Sequence, residues 1–125
     1  MADIIPVVSV GRRLIQSYGD GRFRIGGVVY VGSVIVLPEG VTAWPVASAE
    51  AISGASLAAV AEAVSRPEIL LLGCGPRLVL VVPELRRAFK ELGIVVEPMD
   101  TGAACRTFNV MVAEDRRVAA ALIAV

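Results

Sequence analysis

Ile69-Leu70-Leu71-Leu72-Gly73-Cys74-Gly75-Pro76, then Pro83 to Leu92 with Gly93 behind it, then Ile94-Val95-Val96, is the stretch of sequence that decides the fold. The run from Ile69 to Leu72 is apolar without alternation, as in a strand covered on both faces, and a glycine-rich turn closes it. In the next segment Leu85, Ala88, Phe89 and Leu92 recur at helical spacing. Pro83 suits the first helical turn, Arg87 and Glu91 form an i,i+4 pair, and Gly93 stands just past the end. Residues 69–96 therefore read as a βαβ unit with parallel strands.

Outward from this unit, residues 101–113 predict a helix with Ala104, Phe108, Met111 and Val112 on one face, and Arg117 to Val125 a last strand. On the other side, Leu57, Val60, Ala61 and Val64 predict a short amphipathic helix, with Ser53 and Ser56 as capping candidates and Pro67 as its stop. From Leu14 to Val46, β-branched and aromatic segments alternate with Gly19-Asp20-Gly21, Gly26-Gly27, Gly32 and Glu39-Gly40, the spacing of a β-meander. Its final strand is expected over Val41–Val46, with Pro45 at an edge or bulge. Residues 1–14 mix Ile, Val, Pro and Gly without period and are expected to form an N-terminal arm ahead of a single domain at 15–125. The expected class is α/β, with helices packed on a mixed central sheet and a β-rich N-terminal part.

Composition narrows the functions. The chain has 125 residues, 56% hydrophobic and 19% charged, which is the profile of one folded domain and far from that of a disordered one. Twelve basic residues balance twelve acidic ones, so no net field recruits nucleic acid or anionic lipid. The absence of histidine removes Ser-His and Cys-His pairs, imidazole-ligated metals and the usual general base. Cys74 and Cys105 form no C-x-x-C, which predicts free thiols in a reducing compartment. The start Met1-Ala2-Asp3-Ile4-Ile5-Pro6 does not read as a signal peptide, and the longest apolar run, Val118 to Val125, is far short of the ~20 residues that span a bilayer. The expectation is a cytoplasmic protein without direct membrane insertion.

Catalytic templates fail on spacing. After Gly73-Cys74-Gly75, the third glycine of a dinucleotide loop would fall on Leu78, and Pro76 interrupts the turn. The single lysine, Lys90, follows Phe89 rather than glycine, and Arg87 stands three positions before it, so neither a Walker loop nor S-x-x-K exists. Glu97, Asp100, Glu114 and Asp115 read as a strand-end acid, a helix cap and a solvated pair rather than as an acid and base. The remaining candidate is the segment from Glu97 to Asn109, where a strand leads into a helix. Gly102, Arg106 and Asn109 share one face there, and Asp100 and Thr101 stand at a helix start whose N–H groups suit an anion. The alternative is that Asp100 or Thr101 caps the helix and that Arg106 pairs with an internal acid. Cys105, beside Arg106 and near the positive helix end, is a candidate reactive thiol, although most free cysteines are inert core residues.

Five motifs in order carry a family resemblance: Tyr18-Gly19-Asp20-Gly21-Arg22-Phe23-Arg24-Ile25, Gly32-Ser33-Val34-Ile35-Val36-Leu37-Pro38, Leu71-Leu72-Gly73-Cys74-Gly75, Pro98-Met99-Asp100-Thr101, and Cys105-Arg106-Thr107-Phe108-Asn109 through Leu122. Together they resemble the Mth-like domain family, formerly a domain of unknown function, which includes the mitochondrial assembly factor 3 of respiratory complex I. The resemblance implies a three-layer fold around a mixed sheet whose last strand runs antiparallel to the others, and it implies no established catalysis and no cofactor. Threonine is common between the two glycines of the third motif, and Cys74 departs from it. Mitochondrial members would carry a targeting extension, so a bacterial member is implied; eleven arginines to one lysine are consistent with that.

Two functions follow as expectations. The first is a non-catalytic protein-binding or assembly module whose partners are subunits of a respiratory or other membrane-associated complex, with Arg22, Phe23, Tyr30 and Trp44 as anchors. The second is a small-molecule or anion site, that of a binding protein or of an enzyme, built from Gly73, Gly75, Asp100, Thr101, Arg106 and Asn109 at the strand ends. The sequence does not fix the oligomeric state.

Overall fold

In the computed structural model the described residues are 13–125, so the expected arm lies outside them except for Arg13 and Leu14. Two sheets form. The smaller has strands β1 (Ile15–Gly19), β2 (Arg22–Ile25) and β3 (Val28–Val31) in antiparallel order. Its two tight turns, Asp20-Gly21 and Gly26-Gly27, hold φ values of 53°, 73°, 57° and 85°, the paired left-handed conformation that matches strand twist in two-residue hairpins. The larger sheet contains β4 (Val34–Leu37), β5 (Gly40–Ala43), β6 (Ile69–Gly73), β7 (Val95–Met99) and β8 (Val118–Leu122), ordered β5-β4-β8-β6-β7.

Strands β6, β7 and β8 are mutually parallel, and β4 runs antiparallel to β8. This corrects the expectation that the last strand is the reversed one. The reversed neighbour is β4, because the chain after β7 returns through a helix and enters beside β6 in the same direction.

Side-chain alternation divides the interior into two cores, one on each face of the large sheet. Leu70, Leu72, Ala119, Ala121 and Ile35 point to one face, under α1 (Ala58–Ala61) and α2 (Pro83–Glu91), where Leu57, Val60, Leu85 and Phe89 meet them. Ile69, Leu71, Val118, Ala120, Leu122, Val34 and Val36 point to the other, which is covered by α3 (Thr101–Ala113) and by Ile15, Phe23 and Ile25 of the small sheet. All five residues of β8 are buried, and three of them are alanines. In a central strand covered on both faces, small side chains let both layers approach closely, which outweighs the poor strand propensity of alanine.

The helix expected over Leu57–Val64 is shorter. A 3₁₀ turn (Ala55–Leu57) runs into the single turn of α1, and Val64 is 96% exposed with its N–H donating to Glu39. The N-caps are Gly54 and Leu57, without side-chain bonds, and Ser53 and Ser56 instead brace the turn, each backbone N–H donating to the other's Oγ. The strand expected over Val41–Val46 ends at Ala43.

Candidate functional site

The predicted site residues gather at the carboxyl ends of the parallel strands, where ligands bind in many open α/β sheets. Gly73, Gly75 and Thr101 meet there. The Thr101 side chain is fully buried; its Oγ1 donates to the Ile123 carbonyl at 2.8 Å and accepts from the Gly75 N–H at 3.0 Å. Its own N–H donates to the Gly75 carbonyl at 2.8 Å, Cys74 N–H donates to Met99, and Ile123 N–H donates to Gly73. The crevice between the ends of β6 and β7 is thus filled by one hydroxyl and the backbone around it. A Cβ on Gly73 would lie 3.0 Å from Thr101 Oγ1 and 3.1 Å from Thr101 Cα, so glycine is what allows the close approach. Gly75 has φ +103°, a conformation side chains resist.

The other predicted residues face elsewhere. Asp100 caps α3, its Oδ1 accepting from the Ala103 N–H at 2.9 Å. Arg106 is exposed and donates to the Tyr18 hydroxyl at 2.7 Å, over Gly102, whose missing Cβ would stand 2.7 Å from that same oxygen. The expected internal acid is replaced by a tyrosine on β1. Asn109 accepts from the N–H of Ile15 and donates to its carbonyl, both at 2.8 Å. The six residues therefore stitch strand ends, a helix start and β1 together, and do not converge on one cavity.

The thiols sit in separate cores, Cys74 beneath α2 and Cys105 on the buried face of α3 itself, both free and buried. Burial pushes the Cys105 thiol up to about 12, against the lowering effect of Arg106, and Asp100 raises it further. The candidate nucleophile is thus a neutral core residue. Among the described residues no group of three or more His, Cys, Asp or Glu side chains is placed to hold a metal ion, and no helix is long and apolar enough to cross a membrane.

Of the predicted partner anchors, Arg22 is exposed and Tyr30 half-buried, whereas Phe23 and Trp44 are only 1% and 3% exposed. The β2 alternation turns Phe23 inward with Ile25 and leaves Arg22 and Arg24 outside. Trp44 belongs to the core under α1 and α2, where its Nε1 donates to the Ser56 carbonyl at 2.8 Å. Neither ring is available to a partner. Exposed large apolar side chains cluster on edge strand β3, at Val28, Val29 and Val31, and at Leu78, Leu80 and Val82 between β6 and α2; Tyr18, Val64, Val95 and Val110 are exposed outside these two groups.

Beside Gly75 there is a concavity of about 460 Å³, whose lining includes Ser48, Glu50, Cys74, Gly75 and Arg77 but not Thr101. A neighbouring one of about 220 Å³ lies between Glu50, Ile52, Val79, Val81 and Leu85. Of these residues Gly75 alone is among the expected site residues; the sequence signal for the rest is the uncharged run Leu78-Val79-Leu80-Val81-Val82, long enough for a strand and bounded by turn residues.

Comparison with known proteins now bears on the fold and its site. The family described as "Protein of unknown function (DUF498/DUF598)" matches residues 15–123. The chain belongs to this family. A Xenopus tropicalis member of similar sequence, 38% identical over 109 residues, is the NADH dehydrogenase [ubiquinone] 1 alpha subcomplex assembly factor 3; the match covers 87% of this chain and 60% of that protein. This chain thus spans less than two thirds of that relative's length. A Rhodobacter capsulatus protein without a characterised role is 34% identical over 87% of this chain and 82% of its own length. The solution structure of a Bordetella pertussis Mth938-like domain superposes with a TM-score of 0.81 at 32% identity, covering 98% of this chain and 92% of that one. The resemblance to Mth-like domains is borne out in both sequence and fold, and the DUF498/DUF598 family spans bacterial proteins and complex I assembly factors.

Proposed function

We propose that this protein is a non-catalytic protein-binding module, a bacterial and cytoplasmic relative of the complex I assembly factors that engages subunits of a membrane-associated respiratory complex during assembly. The observation that carries the reading is the contrast between the filled crevice and the exposed strand. Thr101 and the Gly73–Gly75 backbone use the polar groups at the strand ends on one another, while β3 presents Val28, Val29 and Val31 to solvent beside Arg22 and Arg24. An apolar edge flanked by arginines has the composition of a protein-binding surface. The names of the assembly-factor relatives support the choice of complex.

Deleting the gene in its native host and following complex I by native electrophoresis tests the proposal. The expected result is loss of assembled complex with its subunits still synthesised, and restoration by the wild-type protein but not by a Val31→Asp/Arg22→Glu variant of unchanged melting temperature. Normal complex levels in the deletion strain overturn it.

The concavity beside Gly75 favours a second reading, a small-molecule site, now displaced from the filled gap at Thr101 to the side of Glu50, Cys74 and Arg77. A melting-shift screen against metabolites, repeated on Arg77→Ala, separates the two: a ligand whose shift vanishes in the variant supports the site.

A further inference from the structure

The segment from Leu78 to Val82, between β6 and α2, lies in no helix, strand or bend, and its burial alternates strictly. Val79 and Val81 pack on the core beneath α2, whereas Leu78, Leu80 and Val82 face solvent, with Leu80 79% exposed. Val82 has extended backbone, φ −64° and ψ 143°. The N–H groups of Leu78, Val79, Leu80, Val81 and Val82 donate no hydrogen bond among the described residues. This is an extended apolar strip with open backbone donors. Protein edges are usually guarded by a central charge, a proline or a bulge, and five consecutive residues here have none.

In the sequence of the strip charges stand only at its ends, and they are opposite; Glu50 lines the concavity beside it. Arg77 precedes the strip and Glu84 follows it in the first turn of α2; both are exposed, and neither makes an ion pair among the described residues. A partner that satisfies both must present an anion where this strip has its cation, and a cation where it has its anion. The same strip turned end for end does so. In antiparallel pairing about a two-fold axis at Leu80, Leu78 of one copy lies opposite Val82 of the other, which keeps exposed residues on a common side. Arg77 then falls within one residue of the position opposite the other copy's Glu84, close enough for a long side chain to bridge, and the symmetry makes the pair twice.

We propose that a second copy of this chain docks on the strip, pairing residues 78–82 antiparallel across a two-fold axis with reciprocal Arg77–Glu84 ion pairs. The surface is separate from β3, so the dimer leaves the β3 face of each copy open. Three exposed apolar residues per edge, with Arg77 and Glu84 at the ends, make a small interface, and association is expected in the weak class that needs high protein concentration.

Sedimentation equilibrium of the full chain from micromolar to millimolar concentration tests the proposal, with charge reversals as the decisive arms. Wild type is expected to dimerise reversibly, and Arg77→Glu and Glu84→Arg each to weaken the dimer by about tenfold or more, since each places like charges together twice. An equimolar mixture of the two variants is expected to recover dimer, as a heterodimer in native mass spectrometry, because one then carries two anions and the other two cations. The double variant Arg77→Glu/Glu84→Arg is expected to recover a homodimer. Leu80→Asp should abolish dimer at an unchanged melting temperature. A chain monomeric throughout, a dimer indifferent to the charge reversals, or a variant mixture that fails to associate overturns the proposal.

Discussion

The side-chain amide of Asn109 pairs with the backbone of Ile15 as another strand would, accepting from its N–H and donating to its carbonyl at 2.8 Å each. One residue of α3 thereby anchors the first strand of the small sheet. Asn109→Ala is expected to cost about 2 kcal/mol by leaving two partly buried backbone groups unpaired. Asn109→Asp, which keeps an acceptor but loses the donor, should also destabilise. Denaturant midpoints, with slopes confirming two-state unfolding, check both.

Thr101 is the corresponding pin at the strand ends. Thr101→Val preserves shape but removes both hydroxyl bonds, stranding the Gly75 N–H and the Ile123 carbonyl in the interior. A loss of about 2–4 kcal/mol is expected, against a much smaller one for Thr101→Ser. Faster hydrogen exchange at the Gly75 amide in the valine variant would place the effect at this bond.

Arg106 carries less. Its partner is an exposed tyrosine hydroxyl, so Arg106→Ala should cost less than about 1 kcal/mol, and a double-mutant cycle with Tyr18→Phe should give a coupling of similar or smaller size. A larger coupling would show that the pair is shielded from water.

Cys105 gives an alkaline signature. Its thiol is pushed up to about 12 in the folded chain, above the unfolded value near 9.0, so the folded state favours the protonated form. The resulting stability is complete below about pH 9 and is lost as pH rises toward 12. Unfolding midpoints should therefore fall more steeply above pH 9 in wild type than in Cys105→Ala. Native alkylation at neutral pH should leave Cys105 unlabelled, and the intact mass should show two free thiols.

The elements carried by strong periodicity were legible in the sequence. The βαβ stretch and the helix at 101–113 have apolar stripes backed by Pro83, Gly93 and Asp100, and Leu85, Phe89, Ala104, Phe108 and Val112 are buried as the stripes require, whereas Ala88 and Val95 are exposed. The helix does not extend to Val64, because the contacts with the core end at Ala61 and Glu39 takes the Val64 N–H. The alternation of Arg22-Phe23-Arg24-Ile25 places Phe23 inside with Ile25, a period that overrides the preference of aromatic residues for partner surfaces. The candidate site shows a deeper limit. A threonine or asparagine satisfied by backbone and one awaiting a ligand have the same sequence, and only the positions of Ile15, Gly75 and Ile123 distinguish them. Strand order was hidden for a similar reason, since the place of β8 depends on contacts distant in the chain.

That place has a consequence for how the molecule is made. Strand β8 comes last of the elements in sequence yet joins the β4–β5 hairpin to the β6–β7 pair, which share no hydrogen bonds of their own. A chain emerging from the ribosome therefore presents two separate half-sheets, with β4 and β6 each showing an unpaired, fully apolar edge, until residues 118–122 arrive to close both at once. Nascent chains caught before that point should be the species most in need of a chaperone, and the final step of folding should be the insertion of a narrow wedge with three alanines at its centre.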